Sequence, residues 1–170
     1  MAVNVRGRSY KILANVEIGN GCEGVIFAHG SRFGGHSLFI KDRKLHYVYN
    51  FPGIKPEQEF SSDELEPGKY TLGMEFIREG LGEYKESLGA TKLYVNETVV
   101  DERPMKTQPG KFTLSGDGLC IGRDSGDAVS EQYTSPGDFV GGTIQMVAVT
   151  VEEAEYFDLE QIAAAALAID

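Results

Sequence analysis

Apolar residues alternate with polar ones along most of this chain, and turn-forming residues interrupt the alternation about every 8 to 12 residues. Successive side chains of a strand point to opposite faces, so this period predicts half-buried β-strands. The regular spacing of strands and turns favours an all-β fold, a two-sheet antiparallel β-sandwich. The predicted strands cover 9–18, 24–30, 36–41, 45–50, 69–78, 90–95, 98–103, 118–123 and 143–151.

The composition fits one globular domain and excludes several classes of partner. A chain of 170 residues, 41% of them hydrophobic, can bury a core without a metal or a disulfide. Its net charge of −10 argues against nucleic acid and acidic membranes as partners. No stretch approaches the ~18 apolar residues of a membrane helix, and the first residues lack the apolar core of a signal peptide. We therefore predict a cytoplasmic protein, unless the leader of a periplasmic or secreted protein has been removed.

A helical pattern begins near the end of the sequence. Asp158 and Gln161 have the spacing of a capping box, which marks the start of a helix. Five apolar residues then fall on one helical stripe: Leu159, Ile162, Ala163, Ala166 and Leu167. We predict a sandwich domain over 1–157 and a short C-terminal helix over 158–170, which packs either on the same domain or on a partner.

Two histidines are predicted to meet on one face of a sheet. Segment 24–29 can pair antiparallel with segment 36–41 through a loop at 30–35, and a tight turn at 42–43 then leads into the next strand. Residues directly opposite each other share a face. This register places His29 opposite His36, Phe27 opposite Leu38, Val25 opposite Ile40, Leu38 opposite Tyr47 and His36 opposite Tyr49.

The resulting cluster has two interpretations. In the first, His29, His36 and Tyr49 form an anion or metal site with Arg32 above it. In the second, the two histidines are hydrogen-bonded and complete the core, while Arg32 and Phe33 shape a glycine turn. Two histidines without a third ligand nearby are only part of a zinc site, so the pattern favours the second interpretation.

Two further groups of residues are candidates for binding. Arg123, Asp124 and Asp127 lie in an Asp- and Gly-rich segment after a strand, where carboxylates and loop carbonyls could bind calcium. The segment lacks the spacing of an EF-hand, and such sequences also form ordinary turns. A sugar site would need an aromatic platform and a planar polar side chain, for which Tyr47, Tyr49 and Asn50 are candidates, although the alternation directs both tyrosines to the core.

The common catalytic motifs are absent from the sequence. The sequence has no nucleophile elbow, no H-E-x-x-H, no phosphate-binding glycine loop and no pair of carboxylates alternating along one strand. We therefore expect no enzymatic activity from this chain by itself, and no cofactor apart from the possible calcium ion.

Several long strings resemble the C-terminal region of bacterial arylsulfatases, over roughly residues 8–168. They are GVIFAHGSRFGGHSLFIKDRKLHYVYN at 24–50, KTQPGKF at 106–112, GLCIGRDSGDAVS at 118–130, GGTI at 141–144 and YFDLE at 156–160. The resemblance is to the tail of those proteins and not to their catalytic part. One departure is the Asp42-Arg43 turn, where members of the family often have Asp-Gly. The strand order and the GLCIGR run are also similar to concanavalin A-like and laminin G-like sandwiches.

The resemblance implies a non-catalytic accessory domain. The sulfatase catalytic domain carries a C/S-x-P-x-R motif and a calcium site, and this chain has neither, so no catalytic residue is carried over. The partner implied is a sulfatase catalytic domain, in cis or in trans, on which this domain packs and whose substrate entrance it shapes. Arg32 would attract a sulfate or a partner carboxylate, or would instead only cap carbonyls of the turn, and Phe33 would fill an apolar pocket. The alternative is a free-standing, lectin-like module that binds a glycan or a sulfated ligand.

Overall fold

The computed structural model describes residues 8–51, 56–108 and 117–151, and these residues form nine antiparallel β-strands. No helix within these ranges is long and apolar enough to cross a membrane. The predicted C-terminal helix at 158–170 lies outside the described residues. The strands are β1 Tyr10–Ser31, β2 Gly34–Lys41, β3 Lys44–Asn50, β4 Gln58–Glu64, β5 Gly68–Leu81, β6 Ser87–Val95, β7 Thr98–Thr107, β8 Asp117–Ile121 and β9 Val140–Val151.

The long strand β1 belongs to two sheets. Its first half pairs with β5 and β9, and the sheet continues through β6 to β7. Its second half pairs with β2 and β8, and the other sheet continues through β3 to β4. The strand changes sheet between Ile18 and Gly24. Gly24 has a φ of 118°, and a Cβ there would overlap the carbonyl of Asp138, so this bend requires glycine.

The apolar core lies between the two sheets. Alternate residues of β1 and β5 point inward as predicted, among them Ile12, Val16, Leu72 and Met74, which are fully buried. A second, smaller apolar cluster lies on the outer face of the β2–β3 sheet and contains Val25, Ala28, Phe39 and Val48. The connection between β8 and β9 covers this cluster, and the ring of Tyr133 packs against it.

The predicted hairpins and most of their register are confirmed. His29 pairs with His36, Phe27 with Leu38, Leu38 with Tyr47 and His36 with Tyr49. The predicted pairing of Val25 with Ile40 is wrong, because a β-bulge at Ile26 shifts the register. Val25 therefore pairs with Phe39 and joins the outer cluster.

Three further features differ from the sequence-based expectations. Segments 9–18 and 24–30 form the single strand β1. The expected loop at 30–35 is a two-residue turn, since Ser31 and Gly34 still pair. Strand β4 was not predicted at all. Its sequence, QEFSSDE, has one large apolar residue, Phe60, so it carries no apolar alternation.

Strands β4 and β7 lie side by side and close one edge of the sandwich. The side-chain amide of Gln58 donates to the carbonyl of Lys106 and accepts from its N–H, both at 2.8 Å. The N–H of Ser61 donates to Asp101 Oδ2 at 3.1 Å, and Arg103 donates to the carbonyl of Glu59. The two strands thus satisfy each other's edge groups through side chains instead of a regular ladder.

Candidate functional site

The turn between β1 and β2 presents a cation and an aromatic ring to solvent. Arg32 and Phe33 are its two residues, and both are exposed, Phe33 to 60%. The guanidinium carbon of Arg32 lies 5.0 Å from the centre of the Phe33 ring, within cation–π range. The N–H of Phe33 donates to Ser31 Oγ at 3.1 Å, which fixes the turn from below.

A buried polar base supports this turn. Gln108, which follows β7, is almost fully buried, and its N–H donates to the Tyr49 hydroxyl at 3.0 Å. The same hydroxyl lies 3.4 Å from Gln108 Oε1. A Cβ at Gly34 would lie 2.9 Å from Gln108 Nε2, so the turn and the amide are in close contact. The sequence singled out Tyr49 but not Gln108, which has no pattern that marks it.

The two histidines lie directly beneath, as the register predicts. The ring centres of His29 and His36 are 5.9 Å apart. His36 is fully buried, and its Nδ1 lies 2.9 Å from the Tyr47 hydroxyl, which in turn lies 2.7 Å from the Tyr10 hydroxyl. Three aromatic rings meet the His36 ring edge-on: those of Tyr10, Phe27 and Tyr47.

This environment keeps His36 neutral. Burial, and secondly the neighbouring His29, lowers the pKa of His36 to about 3. Burial also raises the pKa values of Tyr10 and Tyr47 well above the usual tyrosine value. The described residues contain no group of three or more His, Cys, Asp or Glu that could hold a metal. His36 is thus a buried, hydrogen-bonded part of the core, and anion or metal binding by the histidine pair stays a prediction.

The Asp- and Gly-rich segment lies in the connection between β8 and β9, away from the Arg32–Phe33 turn, and its hydrogen bonds hold that connection in place. Asp124 is buried, and its Oδ2 accepts from the N–H of Val129 at 2.8 Å and from the Tyr133 hydroxyl. Burial and this hydrogen bond raise the pKa of Tyr133. Asn50 donates to the carbonyl of Val129 at 2.8 Å. These bonds hold the β8–β9 connection on the outer face of the sheet.

The remaining predicted site residues do not join the Arg32–Phe33 turn. Strand β8 begins opposite Gly30 and runs away from the turn, so Arg123 lies towards the other end of the sheet. Arg123 and Asp127 are exposed, whereas Asp124 is already bonded to protein donors. Calcium binding by Asp124 and Asp127 stays a prediction. Asn50 points to the opposite face of its strand from Tyr49, so the two do not form one sugar platform.

Two features of the outer face were not anticipated. His46 stacks on Phe39 with ring centres 5.0 Å apart, and its two nitrogens lie 3.0 Å from Glu59 Oε1 and 3.1 Å from the carbonyl of Lys41. A cleft of about 420 Å³ opens between the end of β2 and the β8–β9 connection. Its lining includes the charged residues Glu23, Lys41 and Asp138. His46 and Glu59 are 13 residues apart on neighbouring strands, and only knowledge of β4 could have paired them.

Comparison with known proteins supports the fold alone. No family model matches this chain, and no curated protein matches it. Among solved structures, it is similar to the mouse laminin alpha1 chain, domains LG4-5, with 14% sequence identity and a TM-score of 0.54. The match covers 87% of this chain and only 36% of the laminin chain. The chain therefore has a concanavalin A-like, laminin G-like β-sandwich fold.

Proposed function

We propose that this chain is a non-catalytic recognition domain that binds its partner through the Arg32–Phe33 turn. The observation that carries the proposal is the exposed cation–aromatic pair held over the buried Tyr49–Gln108 base. Arginine and aromatic residues dominate the binding energy of protein interfaces, because they bury a large surface and make directional polar contacts. A two-residue turn loses little conformational freedom on binding, which favours affinity.

The same residues argue against a catalytic role. Both histidines beneath the turn, His29 and His36, are buried, and His36 is fully enclosed by aromatic rings. A neutral, enclosed imidazole cannot exchange a proton with a substrate at the surface. The chain also lacks the C/S-x-P-x-R motif of sulfatases.

The partner that we propose is the catalytic domain of an arylsulfatase-type protein. The support is the long resemblance of segments 24–50 and 118–130 to the C-terminal region of those enzymes, and segment 24–50 contains the turn itself. The Arg32 guanidinium would form a two-pronged hydrogen bond with a carboxylate of the catalytic domain or with a sulfate at its entrance. Phe33 would enter an apolar pocket beside it.

A binding experiment tests this proposal. An arylsulfatase catalytic domain without its C-terminal region is titrated with this chain and with the Arg32→Ala and Phe33→Ala variants. Each variant should bind about tenfold more weakly. Arg43→Ala is the matched control, because Arg43 is also a half-exposed turn arginine but lies at the far end of β2. Loss of binding in Arg43→Ala alone, or no binding by the unmodified chain, would overturn the proposal.

A second candidate is a lectin-like, glycan-binding module. Tyr84, in the β5–β6 turn, is 77% exposed and lies at the same end of the sandwich as Phe33, which is 60% exposed. The β5–β6 turn lies at this end because Ser87, the first residue of β6, pairs with Thr107. The next residue, Gln108, touches Gly34 beside Phe33. Exposed rings beside an arginine are suited to stacking on sugar rings and pairing with sulfate groups.

Sulfated and neutral oligosaccharides distinguish the two candidates. A glycan module should bind heparin or chondroitin sulfate fragments, lose affinity in both Phe33→Ala and Tyr84→Ala, and show no affinity for the sulfatase domain. An accessory domain should bind the protein partner and be insensitive to Tyr84→Ala. Binding to sulfated chains that persists in Arg32→Ala would contradict the glycan candidate.

A further inference from the structure

The edge of the sandwich formed by β8 and β9 leaves apolar side chains uncovered. The partners of β9 on β1 are Tyr10, Ile12, Ala14 and Val16, all of which point into the core and are buried. Their neighbours on β9 therefore also face inward, yet they are only partly buried. On β8, Ile121 pairs with the buried Phe27 and is 46% exposed. The residues of this β8–β9 edge are Leu119, Ile121, Ile144, Val147, Val149 and Val151.

Strands β8 and β9 approach each other without sharing backbone hydrogen bonds. Each pairs with β1 on one side only, and a Cβ at Gly122 would lie 3.8 Å from Ile144 Cδ1. The side chains that the two strands direct towards the core at this edge are aliphatic and only partly covered. Exposed aliphatic surface of this kind is normally covered by another element or by a partner.

The sequence that follows β9 has the dimensions to cover the β8–β9 edge. Strand β9 ends at Val151, and the predicted helix begins at Asp158. Six residues of connecting chain reach up to about 20 Å, enough to reverse direction. A helix of 13 residues is about 20 Å long, and the stretch of β9 from Ile144 to Val151 spans about 23 Å.

The apolar stripe of that segment also fits this aliphatic edge chemically. It combines Leu159, Ile162 and Leu167 with the small residues Ala163 and Ala166. Small side chains let a helix approach a flat aliphatic surface closely, and the larger ones fill the space between the strands. We propose that segment 158–170 docks this stripe into the β8–β9 edge of its own chain. A covalently attached segment has a high effective concentration, which favours it over a separate partner.

Two adjacent alanines give a matched test. Ala163 lies on the apolar stripe and Ala164 faces away from it, so Ala163→Asp and Ala164→Asp introduce the same side chain with similar loss of helix propensity. Ala163→Asp should lower Tm by about 5 °C or more and increase the fluorescence of a hydrophobic dye, whereas Ala164→Asp should remain close to the unmodified chain. Equal effects of the two variants would overturn the proposal.

A double-mutant cycle locates the contact. Ile162→Ala is combined in turn with Ile144→Ala, with Val149→Ala and, as a control, with Val95→Ala on β6, far from this edge. If the segment docks as proposed, the Tm losses are less than additive with Ile144→Ala or Val149→Ala and additive with Val95→Ala. Additive losses in all three combinations would overturn it. So would a dimer in analytical ultracentrifugation that Ile121→Asp dissociates, because a second copy would then cover the edge.

Discussion

The two edges of this sandwich differ in how the exposed groups of their outer strands are covered. At the β4–β7 edge, polar side chains of each strand bond to backbone groups of the other, with Gln58 spanning both groups of Lys106. At the β8–β9 edge each strand pairs with β1, and the aliphatic residues of both strands stay partly exposed. An edge closed by local polar contacts is complete within the sandwich, whereas an aliphatic edge needs another element to cover it.

Among these perturbations, acid should cause the largest loss of stability. The pKa of His36 is about 3 in the folded protein because of burial and the neighbouring His29, against 6.5 for an ordinary histidine. The unfolded chain therefore binds a proton that the folded chain excludes, and stability present above about pH 6.5 is lost as the pH falls, by up to about 5 kcal/mol near pH 3. Urea unfolding at several pH values measures this loss, and hydrogen exchange should show β8 and β9 opening before β4 and β7.

His36→Phe is the control for the acid experiment. It keeps a buried ring and removes the titrating group, so the dependence of stability on pH between about 6.5 and 5 should become shallower. An unchanged dependence would assign the acid sensitivity to other groups. Earlier opening of β4 and β7 would reverse the ranking of the two edges.

Truncation of core side chains should affect the closed edge more strongly. Phe60 on β4 is buried, packs against Tyr47 and lies under the Arg103 guanidinium, whose carbon is 4.7 Å from the ring centre. Phe60→Ala should cost about 4 kcal/mol, because it leaves a cavity in the core. Val149→Ala on the open edge should cost less, about 1 kcal/mol, since the sandwich itself buries that side chain only in part. Chemical denaturation of both variants measures the difference, and equal losses would refute it.

Removal of the bridging amide should have a smaller effect. Gln58→Ala eliminates both hydrogen bonds to Lys106 and should cost about 1 kcal/mol, with faster hydrogen exchange of the Lys106 amide. Gln58→Glu retains an acceptor for that amide but loses the donor to the carbonyl, so it should recover part of the loss. If both variants are as stable as the unmodified chain, the amide bridge does not close this edge.

The surface ion pair should matter least. Arg103 lies 3.0 Å from Asp101 Oδ2, and its side chain is about half exposed, so solvent screens the attraction. Arg103→Lys keeps the charge but loses the planar contact with Phe60, and it should cost about 0.5 kcal/mol. Thermal unfolding at low and high salt separates the two contributions, because only the ion pair weakens with salt. A loss above that of Gln58→Ala would reverse their order.

The sequence was informative where one face of a strand is buried and a tight turn fixes the register. The turn at Asp42 and Arg43, both with positive φ, set the β2–β3 pairing and so brought His36 opposite Tyr49. The same alternation directed Tyr47 and Tyr49 into the core. These features depend on neighbouring residues, which is why they could be read from the chain.

The features that escaped prediction depend on distant contacts. Strand β4 has a polar sequence because its outer edge bonds to β7, about 40 residues further along the chain. The bulge at Ile26 serves the outer cluster under Tyr133, which belongs to a connection with no periodic pattern. Gln108 joins the candidate site only because Tyr49 accepts its N–H. No pattern in the sequence next to these residues indicates such distant partners.

The strand shared by both sheets has a consequence for synthesis on the ribosome. Residues 10–18 of β1 pair on one side with β5 and on the other with β9, where Tyr10 meets Val151. This interior strand therefore leaves the ribosome before the other described strands and acquires its last neighbour only after almost all of the described residues have been made. Such pairing across the sequence slows folding and leaves an unpaired strand exposed in the meantime. We expect the nascent chain to depend on a holding chaperone until β9 has left the exit tunnel.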